Sequence, residues 1–211
     1  PLEMRFVSPE GVYYSREVDA RPVEDPARGT LYVGYAKDIT DQKNQTQELL
    51  EQARHDSLTQ LYNNRTGKEL IDRYLQAKDP YASCGMLVID LDFFKNVNDC
   101  YGHLKGDICL AEIAACIKKA YARHGYCYRT GGDEFCVLLR DGDREHACAR
   151  DFVRRLDERR KELDFLPTVS FGSAEISSEN VVTVKDRADH NMYRYKKERK
   201  AHRMSGDAGE E

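Results

Sequence analysis

Two β-rich runs, Tyr126-Cys127-Tyr128-Arg129 and Phe135-Cys136-Val137-Leu138-Leu139, stand on either side of a Gly131-Gly132 pair. Apolar and aromatic runs parted by a glycine turn specify an antiparallel hairpin. The hairpin constrains the rest of the chain, because two strands alone cannot bury a core and need other elements to cover them. The surrounding sequence supplies them. Met86-Leu87-Val88-Ile89 is an apolar run of strand length that ends at an acid, Asp90, and residues 167–176 read as a further strand. Residues 66–76, 108–122, 144–163 and 184–200 repeat apolar positions at helical spacing. Over residues 57–200 this alternation predicts an α+β fold with a central, mainly antiparallel sheet flanked by helices.

The ends of the chain read differently. Residues 12–18 and 31–36 are β-formers, and a Pro- and Gly-punctuated loop at 21–29 separates them. So few strands cannot make a domain, and residues 1–41 read as the end of a larger one. Residues 39–56 contain no Gly or Pro, and Ile39, Thr46, Leu49 and Ala53 fall at heptad a/d spacing. A lone surface helix and a two-helix dimeric linker fit that short, half-polar seam equally. The polar stretch 204–211 predicts a disordered tail.

Composition narrows the function classes. Apolar residues make up 40% of the 211 and charged residues 33%, enough for a buried core under a solvated surface. A net charge of -4 gives no broad electrostatic hold on nucleic acid or an anionic membrane, so neither is expected as a partner. No apolar run reaches the roughly 18 residues of a spanning helix, and no signal peptide is visible. A cytoplasmic place is expected for this segment; the chain opens on Pro1, which leaves an upstream membrane anchor open. The seven Cys are odd in number and include no Cys-x-x-Cys pair, which reads as small core residues in a reducing compartment rather than a disulfide framework or a zinc site.

Two acidic elements carry the chemistry. Asp90-Leu91-Asp92 ends the apolar strand, and Asp133-Glu134 follows the Gly-Gly turn. Unpaired carboxylates at the end of a buried strand are costly to desolvate, and a hard cation with oxygen ligands removes that cost. If the hairpin lies beside the strand, Asp90 and Asp133 can share one or two metal ions of the kind that serve phosphoryl transfer. Gly131 and Gly132 leave the turn open to a phosphate or a base. Taken singly, each element is also an ordinary solvated turn or strand end.

Gly131-Gly132-Asp133-Glu134-Phe135 spells the GGDEF signature, and the chain resembles the GGDEF family of diguanylate cyclases in other stretches and in the same order. Residues 56–65, from Asp56-Ser57-Leu58-Thr59 to Asn63-Asn64-Arg65, resemble its opening motif, residues 89–99 and 101–107 its metal and nucleotide segments, and Ala188-Asp189-His190-Asn191-Met192-Tyr193 its closing helix. The resemblance covers about residues 55–200 and implies a ferredoxin-like fold related to nucleotide cyclases. It further implies condensation of two GTP into cyclic di-GMP with Mg2+, for which Mn2+ substitutes. By resemblance, Asp90, Asp133 and Glu134 and the Leu91 carbonyl hold metal, and Glu134 helps remove a proton. Lys95, Lys196 and Lys200 bind phosphates, with the amides around Phe93 and Phe94 and the Gly131-Gly132 turn. Asn98 and Asp107 read guanine, whose N1 and N2 donors suit a carboxylate. His103 is expected to make a structural hydrogen bond rather than to act in catalysis. Residues 34–43 resemble the end of a PAS domain leading into a signalling helix. A homodimer through that helix, with facing active sites, is implied.

The chain departs from the family pattern in places. An Arg-x-x-Asp product site is replaced at Ala122 and Gly125, Gln60 stands where Gly is frequent, Tyr195 replaces a small residue, and Lys200 stands where Arg is usual. Lys200 keeps the charge without the bidentate fork. The alternative to an active cyclase is a GGDEF module that binds GTP or a partner without turnover. A sensor fragment devoted to dimerisation is the third reading.

Overall fold

The computed structural model describes residues 1–77, 83–176 and 181–206, apart from the side chains of 181, 182, 195 and 198–206. The side chains of Tyr195 and Lys200 and all of residues 207–211 therefore lie outside the described residues. The chain divides into two compact units, Pro1–Ala53 and Arg54–Glu211.

The first unit is an antiparallel meander of β1 (Leu2–Val7), β2 (Tyr13–Asp25) and β3 (Gly29–Asp38), followed by α1 (Thr40–Gln52). β1 is not legible as a strand in the sequence, and β2 runs straight through Arg21-Pro22 where a loop is predicted. The pairing of β1 with β2 stops at Leu2–Val18. At Pro22, β2 is therefore an edge strand on that side, where proline is tolerated. Asp25 makes the turn by accepting from the amides of Ala27 and Arg28 at 2.8 and 2.9 Å. Ile39 is the buried apolar residue of this unit among the described residues. Helix α1 ends at Gln52, short of the expected 56, with Ala53 as its last cap.

The second unit contains α2 (Asn64–Ala77), β4 (Gly85–Leu91), α3 (Phe94–Tyr101), α4 (His103–Tyr121), β5 (Gly125–Gly131), β6 (Glu134–Leu139), α5 (Glu145–Glu162), β7 (Val169–Glu175) and α6 (Val181–Gly206). The strands form one antiparallel sheet in the order β5-β6-β4-β7, with β4 and β6 in the interior. Both faces are covered. Leu87, Ile89, Leu91, Phe135 and Val137 pack with Val97, Ile113, Ile117 and Phe152 of α3, α4 and α5. Met86, Val88, Cys136 and Leu138 pack with Ile71 of α2 and Val184, Ala188 and Met192 of α6. Burial on both faces explains why β4 and β6 read as continuous apolar runs instead of alternating ones. Each such side chain contributes about 1.5–3 kcal/mol on leaving water.

This is the expected α+β, ferredoxin-like arrangement of a sheet with helices. Helix α3 is too short and too polar to show a period in the sequence, and α6 runs to Gly206, past its expected end. Six of the seven cysteines are buried and Cys100 is exposed. Burial pushes the Cys109 thiol up to about 11 and the Cys127 thiol up to about 12, so both stay protonated at neutral pH.

Candidate active site

The two acidic elements converge because β4 and β6 are neighbours in register. Asp90 pairs with Glu134 across the strands, and the Leu91 amide donates to the Asp133 carbonyl at 3.4 Å. Gly131 and Gly132 form the exposed tip of the hairpin, and Gly132 adopts φ 55°, a left-handed value that favours glycine. Asp90, Asp133 and Glu134 are all half-buried. Burial pushes the Asp90 carboxyl above the ordinary carboxylate range; the Lys196 ammonium opposes this, and Asp133 and Glu134 add to the rise. Lys196 of α6 donates to Asp90 Oδ1. A lysine expected at a phosphate thus lies on the first carboxylate of the site.

Asp92 has another task. Its carboxylate accepts from the hydroxyls of Thr168 at 2.7 Å and Ser170 at 2.6 Å, and its amide donates to the Thr168 carbonyl at 2.8 Å. It ties the end of β4 to the start of β7. In Asp90-Leu91-Asp92, then, the first carboxylate faces the hairpin acids and the second is structural. Neither Thr168 nor Ser170 is marked by any sequence motif.

Phe93 follows in a left-handed conformation, φ 57°, and caps α3 without a side-chain hydrogen bond. The first amides of a helix have no acceptor within it, and they point toward a region of favourable potential for anions. Phe93 is exposed, Phe94 half-buried, and Lys95 projects into solvent from the first turn of α3. Asn98 lies one turn further on, half-buried against α4. A Cβ at Gly106 would lie 2.0 Å from Asn98 Oδ1, so only glycine lets Asn98 lie there. Gly106, against which Asn98 lies, precedes the exposed Asp107 on α4. His103 begins α4, is exposed, and makes no side-chain hydrogen bond among the described residues, contrary to the expected structural bond.

A residue pair outside the expected ligand set holds the turn. Arg129 on β5 donates through Nε and Nη2 to the Gly132 carbonyl at 3.0 and 2.6 Å, and through Nη1 to Asp56 Oδ1 at 3.2 Å. Asp56 in turn accepts from the Thr59 amide at 2.9 Å and the Thr59 hydroxyl at 2.6 Å. Asp56 opens the first quoted motif and Arg129 ends the run before the Gly-Gly turn, but sequence spacing gives no sign that they meet. Gln60 completes that loop at φ 57°, which accounts for the glycine frequent at this position in the family pattern.

Asp90, Asp133 and Glu134 carry the kind of oxygen donors that a hard divalent cation takes. Among the described residues no group of three or more His, Cys, Asp or Glu side chains is arranged so that it could hold a metal ion. The fit therefore rests on charge. Two acids sit beside a half-buried third, and one ammonium, that of Lys196, offsets only part of their charge.

Known proteins are similar to this chain in the same region. The model of the diguanylate cyclase GGDEF domain matches residues 53–202. The diguanylate cyclase DgcM of Escherichia coli is 32% identical over 166 residues, covering 75% of this chain and 40% of that protein. A diguanylate cyclase of Vibrio cholerae is 36% identical over 108 residues, covering 51% of this chain and 34% of that protein. The chain thus spans less than half the length of these curated relatives. The crystal structure of the coiled coil and GGDEF domain of DgcB from Caulobacter crescentus, in complex with c-di-GMP, aligns with a TM-score of 0.68 at 26% identity, over 75% of this chain and 88% of that one. The diguanylate cyclase SiaD of Pseudomonas aeruginosa, solved with its activator SiaC, aligns with a TM-score of 0.59 at 29% identity, over 76% of this chain and 66% of that one. With its signature at the tip of the β5–β6 hairpin and its acids gathered against β4, the chain belongs to the GGDEF-domain family of diguanylate cyclases.

Proposed function

We propose that this chain is an active diguanylate cyclase, which condenses two GTP into cyclic di-GMP and releases pyrophosphate. The observation that carries the reading is the meeting of Asp90 with Asp133 and Glu134 beside the uncapped start of α3. Asp90, Asp133, Glu134 and the Leu91 carbonyl would hold Mg2+ or Mn2+, which supplies charge neutralisation and lowers the proton affinity of the attacking hydroxyl. The amides at the start of α3, with Lys95, Lys196 and Lys200, receive the triphosphate. Asn98 and Asp107 receive guanine. Glu134 would accept a proton from the 3′-hydroxyl as it attacks the partner's α-phosphate and pyrophosphate leaves in line. One site holds one GTP, so two protomers must face each other.

The meander ending in α1 supports residues 1–41 as the end of a PAS sensor domain with α1 as a signalling linker. A GTP substrate would support a place in the bacterial cytoplasm. No described helix is long and apolar enough to cross a membrane. Product feedback through the usual Arg-x-x-Asp site is not expected. Ala122 offers no cation, and a Cβ at Gly125 would lie 1.9 Å from the Leu138 carbonyl, so no aspartate fits that backbone. Incubation with GTP and Mg2+, followed by chromatography, tests the reading. Wild-type protein should yield cyclic di-GMP, and a folded Asp133→Ala variant should lose about 10³-fold of that rate. GTP binding without any product would instead favour a regulatory module, the reading that the Tyr195 and Lys200 replacements leave standing.

A further inference from the structure

Lys196 and Asp90 are held together by two rigid elements. Asp90 ends β4 in the middle of the sheet, and α6 is pinned to that sheet by the buried Val184, Ala188 and Met192. Lys196 follows Met192 by four residues and so lies on the same helix face. Its side chain is 30% exposed and that of Asp90 is 18% exposed, which sets this pair apart from the solvated ion pairs on the helix surfaces. The ammonium occupies Oδ1, one of the two oxygens through which Asp90 would hold a metal ion. An ammonium and a divalent cation on one carboxylate repel strongly at such separations, the more so in a half-buried site. The same lysine is a phosphate ligand in the function proposed above. A single ammonium cannot serve both partners fully.

We propose that Lys196 is a placeholder cation on Asp90 that couples metal binding to nucleotide binding at this site. In the nucleotide-free protein it neutralises Asp90 and competes with a divalent ion for the carboxylate. The triphosphate gives it another anionic partner, so its departure frees Asp90. Metal alone then binds weakly, and metal and nucleotide each strengthen the other's binding, as linkage requires. The inference rests on the proposed function, because it takes Asp90 as a metal ligand and Lys196 as a phosphate ligand.

The test titrates Mn2+ alone into the full chain and counts free Mn2+ by electron paramagnetic resonance. It is repeated with a GTP analogue carrying a methylene bridge between the α- and β-phosphates, which cannot react. Without nucleotide, Lys196→Met and Lys196→Gln should both bind Mn2+ more tightly than wild type, on the order of 10-fold. The analogue should then tighten Mn2+ more in wild type than in either variant. Equal or weaker Mn2+ affinity in both folded variants without nucleotide overturns the placeholder role. Mn2+ binding that is unchanged by Asp90→Asn in every protein, with and without the analogue, overturns the proposed function itself.

Discussion

Arg129 and Asp56 stand 73 residues apart in sequence and meet with Nη1 and Oδ1 at 3.2 Å. The rest of the same guanidinium grips the Gly132 carbonyl, one residue before Asp133. Asp56 is itself fixed by Thr59. The chain of contacts from Thr59 to Asp56, Arg129 and Gly132 makes Arg129 a positioning residue for the hairpin acids. Arg129→Ala should lower kcat by about 10²-fold, since small misplacements of reacting groups cost that much, while KM for GTP changes little. Arg129→Lys should not rescue, because a lysine cannot fork to both partners. A rise in KM with kcat intact would assign Arg129 to substrate binding instead.

The same contact predicts a pH effect on stability. Burial is the largest single influence on the Asp56 carboxyl and raises it, but the Thr59 hydroxyl and amide and the Arg129 guanidinium together outweigh it and hold it below the ordinary range. A carboxyl with a folded pKa below its unfolded value adds stability at pH above the unfolded pKa, and loses it as pH falls through the folded one. Wild type should therefore lose more stability than Asp56→Asn between about pH 4 and pH 2. Urea melts across that window check it, and parallel curves for the two proteins would remove Asp56 from the effect.

Gln60 holds φ 57° without being glycine. Its side chain recovers one exposed hydrogen bond, from Nε2 to the Ser57 carbonyl at 2.9 Å. A left-handed residue with a Cβ costs roughly 1–2 kcal/mol, and an exposed bond returns only part of that. Gln60→Gly should raise the melting temperature by a few degrees, with turnover unchanged. A lower melting temperature would show that the Ser57 contact outweighs the backbone strain.

The elements that were legible in the sequence are those with long periods or doubly buried runs. The β5–β6 hairpin, β4, and the long α4 and α5 are of this kind, because burial of an entire face repeats a pattern many times. Helix α3 was not legible: eight residues with Val97 as their one fully buried side chain leave no period to read. Strand β2 was cut short at Pro22, since nothing local reveals that β1 stops pairing at Val18. In the site, Asp90, Asp133 and Glu134 were readable as acids at strand and turn ends. The structural role of Asp92 was not, because it depends on Thr168 and Ser170 from a strand far along the chain. The Lys196 contact with Asp90 likewise depends on how α6 lies on the sheet.

Discrimination of the base should follow from Asn98 and Asp107. If Asp107 accepts from guanine, adenine leaves that carboxylate facing a ring without a matching donor pair. Such mismatches are worth about 10⁴-fold or more when the group is buried by the ligand. Asp107→Ala should weaken GTP binding while leaving the melting temperature close to wild type, because the side chain is exposed. Gly106→Ala should act through Asn98, which a Cβ at 2.0 Å must displace. Comparable ATP and GTP turnover in wild type would show that these residues do not read the base.

Dimerisation through α1 is the condition most open to test, and the structure revises the seam. Ile39, the first of the a/d positions, is buried within its own unit, and its amide donates to the Ser15 carbonyl at 2.9 Å, so it is not free for a partner helix. The Thr46 hydroxyl is turned back onto the Gln42 carbonyl at 2.8 Å. Leu49 and Leu50 remain, 65% and 56% exposed, as the apolar surface of α1. Two leucines per helix cannot hold a tight pair; short isolated helices are marginal, and a stable coiled coil needs several heptads. Association should accordingly be weak and concentration-dependent. Because two sites must meet for one product, specific activity should rise with protein concentration and level off once light scattering shows dimers. Leu49→Glu should shift that rise to higher concentration while the monomer still binds GTP. Activity that stays constant where only monomer scatters would refute the dimer requirement. An unshifted curve for Leu49→Glu would free α1 from any part in it, and leave the pairing to the catalytic faces.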